Sequence, residues 1–95
     1  ERELERCPGV EEAAVFGLPD ETWGQTVAAA LVVDPVRAPH DDELAAWIRA
    51  RLATHKRPRR ICRVGRLPHT AAGKLDRDAL AAFAPLLGAL DERQS

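Results

Sequence analysis

Cysteine is scarce in these 95 residues, and the two present, Cys7 and Cys62, lie far apart in no metal-ligand spacing. That argues against a disulfide framework and a zinc site, and two reduced, buried thiols are expected instead. Aromatic residues are few as well: Phe16, Trp23, Trp47 and Phe83. No apolar run approaches the roughly 20 residues that span a bilayer, so no membrane partner is expected. The opening Glu1-Arg2-Glu3-Leu4-Glu5-Arg6 lacks the basic-then-apolar order of a secretory signal and has no initiating Met, and the chain reads as a piece of something longer. Neither sign of charge dominates, with 14 basic against 15 acidic residues. At 45% hydrophobic and 31% charged, the composition is that of a soluble globular domain. A chain this short buries only about 60 to 65% of its unfolded surface, so one small domain without an interdomain cleft is expected.

The pattern along the chain predicts helix, strand, strand, helix, strand, helix. Pro8-Gly9 stops a short charged helix that begins at the N-terminus. Val10 to Leu18 reads as a strand closed by Gly17 and Pro19-Asp20. Thr26 to Val33 is apolar at both odd and even positions, as in a central strand covered on both faces. Asp41 or Asp42 can cap a helix whose Leu44, Trp47, Ile48 and Leu52 share one face. Arg60 to Val64 is expected as a half-exposed strand, and Leu67 to Gly73 as a loop. Asp76 can cap a last helix with Leu80 and Phe83 inward, while Ala84 to Ser95, with Pro85 and Gly88, should fray. The fold class that follows is α+β, a small sheet of about three strands flanked by helices. The domain proper is expected over residues 1–83 and a tail over 84–95.

Chemistry concentrates in two places. In Pro68-His69-Thr70-Ala71-Ala72-Gly73-Lys74, a small-residue run delivers one lysine behind a glycine; a solvated surface lysine is the plainer reading. A Gly-x4-Gly-Lys-Ser/Thr phosphate loop is rejected, because proline stands at Pro68 and leucine at Leu75. The second place is the stretch from Arg49 to Arg66, which holds Arg49, Arg51, Lys56, Arg57, Arg59, Arg60, Arg63 and Arg66 and no acidic residue. Such a stripe suits phosphate or is simply a solvated face. Nucleic acid is the generic phosphate ligand, yet no aromatic side chain interleaves the stripe, and a smaller polyphosphate fits better. His40, His55 and His69 show no i, i+4 pairing and no acidic partner by spacing, so neither a metal site nor a catalytic dyad is expected.

Four ordered blocks carry a resemblance: Pro8-Gly9-Val10-Glu11-Glu12-Ala13-Ala14-Val15, Gly17-Leu18-Pro19-Asp20-Glu21-Thr22-Trp23-Gly24-Gln25, His55-Lys56-Arg57-Pro58-Arg59, and Leu67-Pro68 with Gly73-Lys74-Leu75-Asp76-Arg77. Together they resemble the C-terminal lid domain of adenylate-forming enzymes, the superfamily of acyl- and aryl-CoA synthetases, peptide-synthetase adenylation domains and luciferases. The resemblance implies that Lys74, placed by Gly73, enters the active site of a large N-terminal domain. There it would contact the substrate carboxylate and the α-phosphate of ATP. It also implies a rotation of the small domain that brings CoA along another face. In CoA ligases of the chlorobenzoate type, the positions matching Trp23, His55, Arg57 and Arg59 line the nucleotide end of CoA, with His55 standing where that group carries an aromatic residue.

Trp-Gly-Gln and Lys-Arg-Pro-Arg lean toward a CoA ligase, since peptide-synthetase domains usually read Tyr-Met-Val-Pro where His55 to Pro58 stand. The alternatives are a domain that serves loading of a carrier protein, and a stand-alone basic nucleic-acid-binding domain. By the same resemblance ATP and CoA are substrates of the whole enzyme, Mg2+ accompanies ATP in the N-terminal domain, and this chain alone is inactive. Pro68 to Lys74 matches the Pro-x4-Gly-Lys pattern on which CoA synthetases are acetylated, which implies a lysine acetyltransferase and deacetylase as partners. Arginine supplies 12 of the 14 basic residues and alanine abounds, a bias of high-GC bacterial genomes. A cytoplasmic location is expected.

Overall fold

A computed structural model describes residues 1–20 and 24–90. The chain forms helix α1 (Arg2–Glu5), strands β1 (Val10–Asp20) and β2 (Gly24–Val33), and helix α2 (Asp41–Arg51). A 3-10 turn (Thr54–Lys56), strand β3 (Arg60–Arg63), a 3-10 helix (Arg77–Leu86) and strand β4 (Gly88–Ala89) follow. The sheet order is β1-β2-β3-β4. β1 and β2 run antiparallel, β2 and β3 parallel, and β3 and β4 antiparallel. The parallel step is made by α2, the crossover that a parallel pair requires.

Alternation along the strands divides the core into two layers. On one face, Ala13, Ala29, Leu31 and Ile61 meet Leu4 of α1 and Leu44, Ala45 and Ile48 of α2. On the other, Ala14, Ala28, Ala30 and Cys62 meet Leu67, Leu80 and Leu87. β2 is therefore the central strand expected from its unbroken apolar run, and small alanines let both layers approach its backbone. β3 differs from expectation: Ile61 and Cys62 are both buried, one in each layer, and only its ends Arg60 and Arg63 are exposed. A half-exposed strand would need one open face, and the 3-10 helix covers the second.

Three further details depart from the sequence reading. The cap of α2 is His40, with Asp41 already the first helical residue; the Glu43 carboxylate accepts from the His40 backbone N–H at 2.8 Å. The last helix is capped by Asp76 as expected, its side chain accepting from Ala79 N–H at 3.3 Å, but it winds with three residues per turn. That winding eclipses residues three apart, which stacks Leu80 and Phe83 against the second layer. The segment from Ala84 continues that helix and then adds a fourth strand. Leu87 and Leu90 are buried on either side of β4, and Leu90 N–H donates to Arg59 O at 3.0 Å. The final residues 91–95 of the expected tail lie outside the described residues.

Candidate functional site

Lys74 sits on the rim of a tight hairpin. His69 and Leu75 pair antiparallel, Thr70 N–H donates to Lys74 O at 2.7 Å, and Gly73 N–H donates to Thr70 O at 2.9 Å. The Lys74 N–H in turn donates to the Thr70 hydroxyl at 3.3 Å. Gly73 takes φ +86°, the left-handed corner that a three-residue hairpin loop needs after its turn. Gly73 is thus a fixed corner, and the lysine backbone is held at both its N–H and its C=O. The side chain of Lys74 is exposed. The hairpin stands on buried Leu67 and on Leu75, which packs against the second core layer.

A separate groove of about 350 Å³ is lined by Gln25, Thr26, Val27, Thr54, His55, Arg57 and Arg59. It brings together three of the four residues expected at a CoA surface, His55, Arg57 and Arg59; the fourth, Trp23, lies outside the described residues. Pro58 is buried and Arg59 N–H donates to Val27 O at 2.9 Å, so the Lys-Arg-Pro-Arg segment is tied to β2 while Arg59 stays exposed. Arg57 is half-buried: its guanidinium donates to Leu52 O and Arg49 O at the end of α2. Gln25, Thr26 and Thr54 were not singled out from the sequence. Of these only Gln25 carried a signal, as the last residue of the Trp-Gly-Gln block.

The basic stripe is not one surface. Arg51 lies over the Trp47 ring at 3.8 Å, Arg60 donates to Leu87 O, and Arg63 donates to Pro39 O and pairs with Asp41 at 2.9 Å. These three arginines are engaged within the fold, whereas Arg57 and Arg59 line the groove. Lys74 and Gly73 do not line that groove, so the expected site residues fall into two regions. Acidic partners were also missed. His69 Nε2 donates to Glu12 at 2.8 Å, and Arg77 forms a two-pronged pair with Glu1 at 2.9 Å for each bond. The chain separation of each pair leaves no spacing signal. The Arg77 hydrogen bond holds the Glu1 carboxyl below its ordinary value against the opposing effect of burial, and the Val15 N–H adds to the lowering. Burial pushes both cysteine thiols up, and neither cysteine is in a disulfide.

The family model for the AMP-binding enzyme C-terminal domain matches residues 1–74. The chain belongs to that family. Among curated relatives, a feruloyl-CoA synthase of an Amycolatopsis species is 44% identical over 75 residues, 79% of this chain and 15% of its own length. A 4-chlorobenzoate–CoA ligase of Pseudomonas sp. (strain CBS-3) is 43% identical over 81 residues, 84% of this chain and 15% of its own. Among solved structures, a double mutant of the o-succinylbenzoate CoA synthetase (MenE) of Bacillus subtilis, bound with its product analogue OSB-NCoA, superposes with a TM-score of 0.80 at 35% identity. That superposition covers 96% of this chain and 18% of the synthetase. The chain thus spans less than a fifth of the length of these relatives, and the AMP-binding C-terminal domain is the part it shares with them.

Proposed function

We propose that this domain serves an AMP-forming, ATP-dependent carboxylic acid–CoA ligase, working with an N-terminal domain of the same polypeptide. The observation that carries the reading is the groove that collects His55, Arg57 and Arg59 on one surface while a second surface holds Lys74 at a fixed glycine corner. Two separate cationic surfaces on one small domain suit two half-reactions, each presented in turn.

In the first, a carboxylate oxygen of the acid attacks the α-phosphorus of ATP and the bond to pyrophosphate breaks. Negative charge grows on the phosphoryl oxygens, and the ammonium of Lys74 steadies it. A unit-charge contact at about 4 Å is worth roughly 4 kcal/mol at an effective dielectric near 20, so one lysine can govern the rate. In the second, the CoA thiol attacks the acyl carbon, AMP leaves, and Arg59 and Arg57 hold phosphates at the nucleotide end of CoA while Trp23 and His55 cover the adenine. Arginine's planar fork suits phosphate oxygens. Mg2+ belongs with ATP in the N-terminal domain; among the described residues no three His, Cys, Asp or Glu side chains group to hold a metal ion. Such a ligase works in the cytoplasm, where ATP and CoA are found. Among the described residues no helix is long and apolar enough to cross a membrane.

Exposure of Lys74 on a hairpin rim also suits it to acetylation by a lysine acetyltransferase, with a deacetylase to reverse it. Acetylation removes the charge that adenylation uses. Mass spectrometry of the full-length enzyme after acetyl transfer checks this: modification at Lys74 with loss of adenylation is expected, and modification confined to Lys56 contradicts it. For the CoA surface, Arg59→Ala in the full-length enzyme should raise the apparent KM for CoA and leave ATP–pyrophosphate exchange intact. An unchanged KM for CoA would contradict the assignment of the groove.

A further inference from the structure

The hairpin that carries Lys74 is rigid within itself, because its backbone bonds close the loop between His69 and Leu75. What those bonds leave undetermined is the direction in which the hairpin stands away from the sheet. Its stem rests on Leu67 and Leu75, and apolar contacts of this kind constrain a tilt only weakly.

Two side-chain ties supply the missing constraint, one on each arm. On the incoming arm His69 Nε2 donates to Glu12 Oε2 at 2.8 Å, since a carboxylate without a proton can only accept. Beyond the outgoing arm Arg77 holds Glu1 through both Nη atoms at 2.9 Å, and Glu1 Oε2 also accepts from Val15 N–H at 2.9 Å. Both carboxylates belong to the first twelve residues. Glu12 follows a register shift between Val10 and Glu12, an irregularity of the kind that re-aims a side chain at a strand end.

We propose that His69 and Glu12 are a positioning pair that fixes the direction of the Lys74 hairpin for adenylation, a role that rests on the reading of Lys74 given above. In this role both residues act through Lys74 and not on a reacting atom. His69 and Glu12 are 39% and 37% exposed in their side chains, so the pair is of the weak surface class. It can bias the hairpin by about fivefold at most, the factor equivalent to about 1 kcal/mol.

The test uses the full-length enzyme, with the two half-reactions measured separately for Glu12→Ala, His69→Ala, the double variant and His69→Arg, and with Lys74→Ala alongside. Each single alanine variant should lower kcat for adenylation about threefold to fivefold, with the KM values for ATP and acid unchanged. The double variant should be no slower than either single one, because the two residues act through one contact. His69→Arg, which keeps a donor for Glu12, should restore the rate. Thioester formation from preformed acyl-adenylate should be unaffected throughout, whereas a merely structural role would slow both half-reactions together. Additive losses in the double variant, or full adenylation in both single variants while Lys74→Ala abolishes it, would overturn the pairing alone. Full adenylation in Lys74→Ala would overturn the lysine reading and the pair's role with it.

Discussion

The guanidinium of Arg57 closes the C-terminal end of α2, donating through Nε to Leu52 O at 2.9 Å and through Nη2 to Arg49 O at 3.2 Å. Carbonyls at a helix end otherwise lack partners, and a cation there also answers the helix dipole. One residue of the proposed CoA groove is therefore structural as well. Arg57→Ala should destabilise the domain by about 1 to 2 kcal/mol and raise the KM for CoA, whereas exposed Arg59→Ala should affect only the KM. Thermal melting of the two variants checks the difference, and equal melting temperatures would contradict the capping role. A contact from Arg57 to the 3′-phosphate of CoA, one of the phosphates at that end, would make Arg57→Ala weaken CoA more than dephospho-CoA, and an equal loss of both would contradict it.

Glycine is required at Gly9 and Gly73 for different reasons. At Gly9, φ is +92° and a Cβ would collide with Arg37 O, while Gly9 O accepts from Asp34 N–H at 2.8 Å. At Gly73, φ is +86° and a Cβ would meet open space. Gly73→Ala should therefore cost only the conformational term, about 1 to 2 kcal/mol, and Gly9→Ala should cost more. Chemical denaturation of both variants gives the ranking; the reverse order would contradict it.

Acid should weaken the tie between Glu1 and Arg77. The Glu1 carboxyl is held below its ordinary value of 4.5, so its contribution to stability is complete above that value and is lost as pH falls through the lowered one. Glu1→Gln should lower the neutral plateau of the stability curve and leave its low-pH end little changed, so that the acid limb flattens. An acid limb identical to that of the unsubstituted domain would contradict the pairing.

Both thiols should resist modification in the folded state. Cys7 and Cys62 are buried in opposite layers of the sheet, and burial pushes each thiol up, with Glu43 adding to the rise at Cys7 and Arg51 opposing it. The thiolate is the reactive form, so neither should react with a thiol reagent at neutral pH until the domain unfolds. Rapid reaction of either in the native protein would contradict the packing.

Legibility from sequence followed the range of the interaction concerned. β1 and β2 were readable because their apolar runs and bounding glycine and proline residues are local, and α2 because Leu44, Trp47, Ile48 and Leu52 repeat at helical spacing. β4 was not, since Gly88 and Ala89 carry no strand pattern; burial of Leu87 and Leu90 and the bond from Leu90 N–H to Arg59 O decide it. The cap of α2 fell one residue before Asp41 because Glu43 reaches back to His40. At the candidate site, the hairpin around Gly73 was foreseen as a loop with a special glycine. The contacts of His69 with Glu12 and of Arg57 with Leu52 were hidden, because side-chain partners brought together by folding leave no trace in spacing.

Lys74 gives the most direct test of the proposed function, because its charge is assigned to one half-reaction only. In the full-length enzyme, ATP–pyrophosphate exchange and thioester formation from preformed acyl-adenylate are to be measured for Lys74→Ala. Exchange should fall by at least about 100-fold, the loss typical of one preorganised donor, while thioester formation changes little. Equal losses in both half-reactions, or undiminished exchange, would contradict the account.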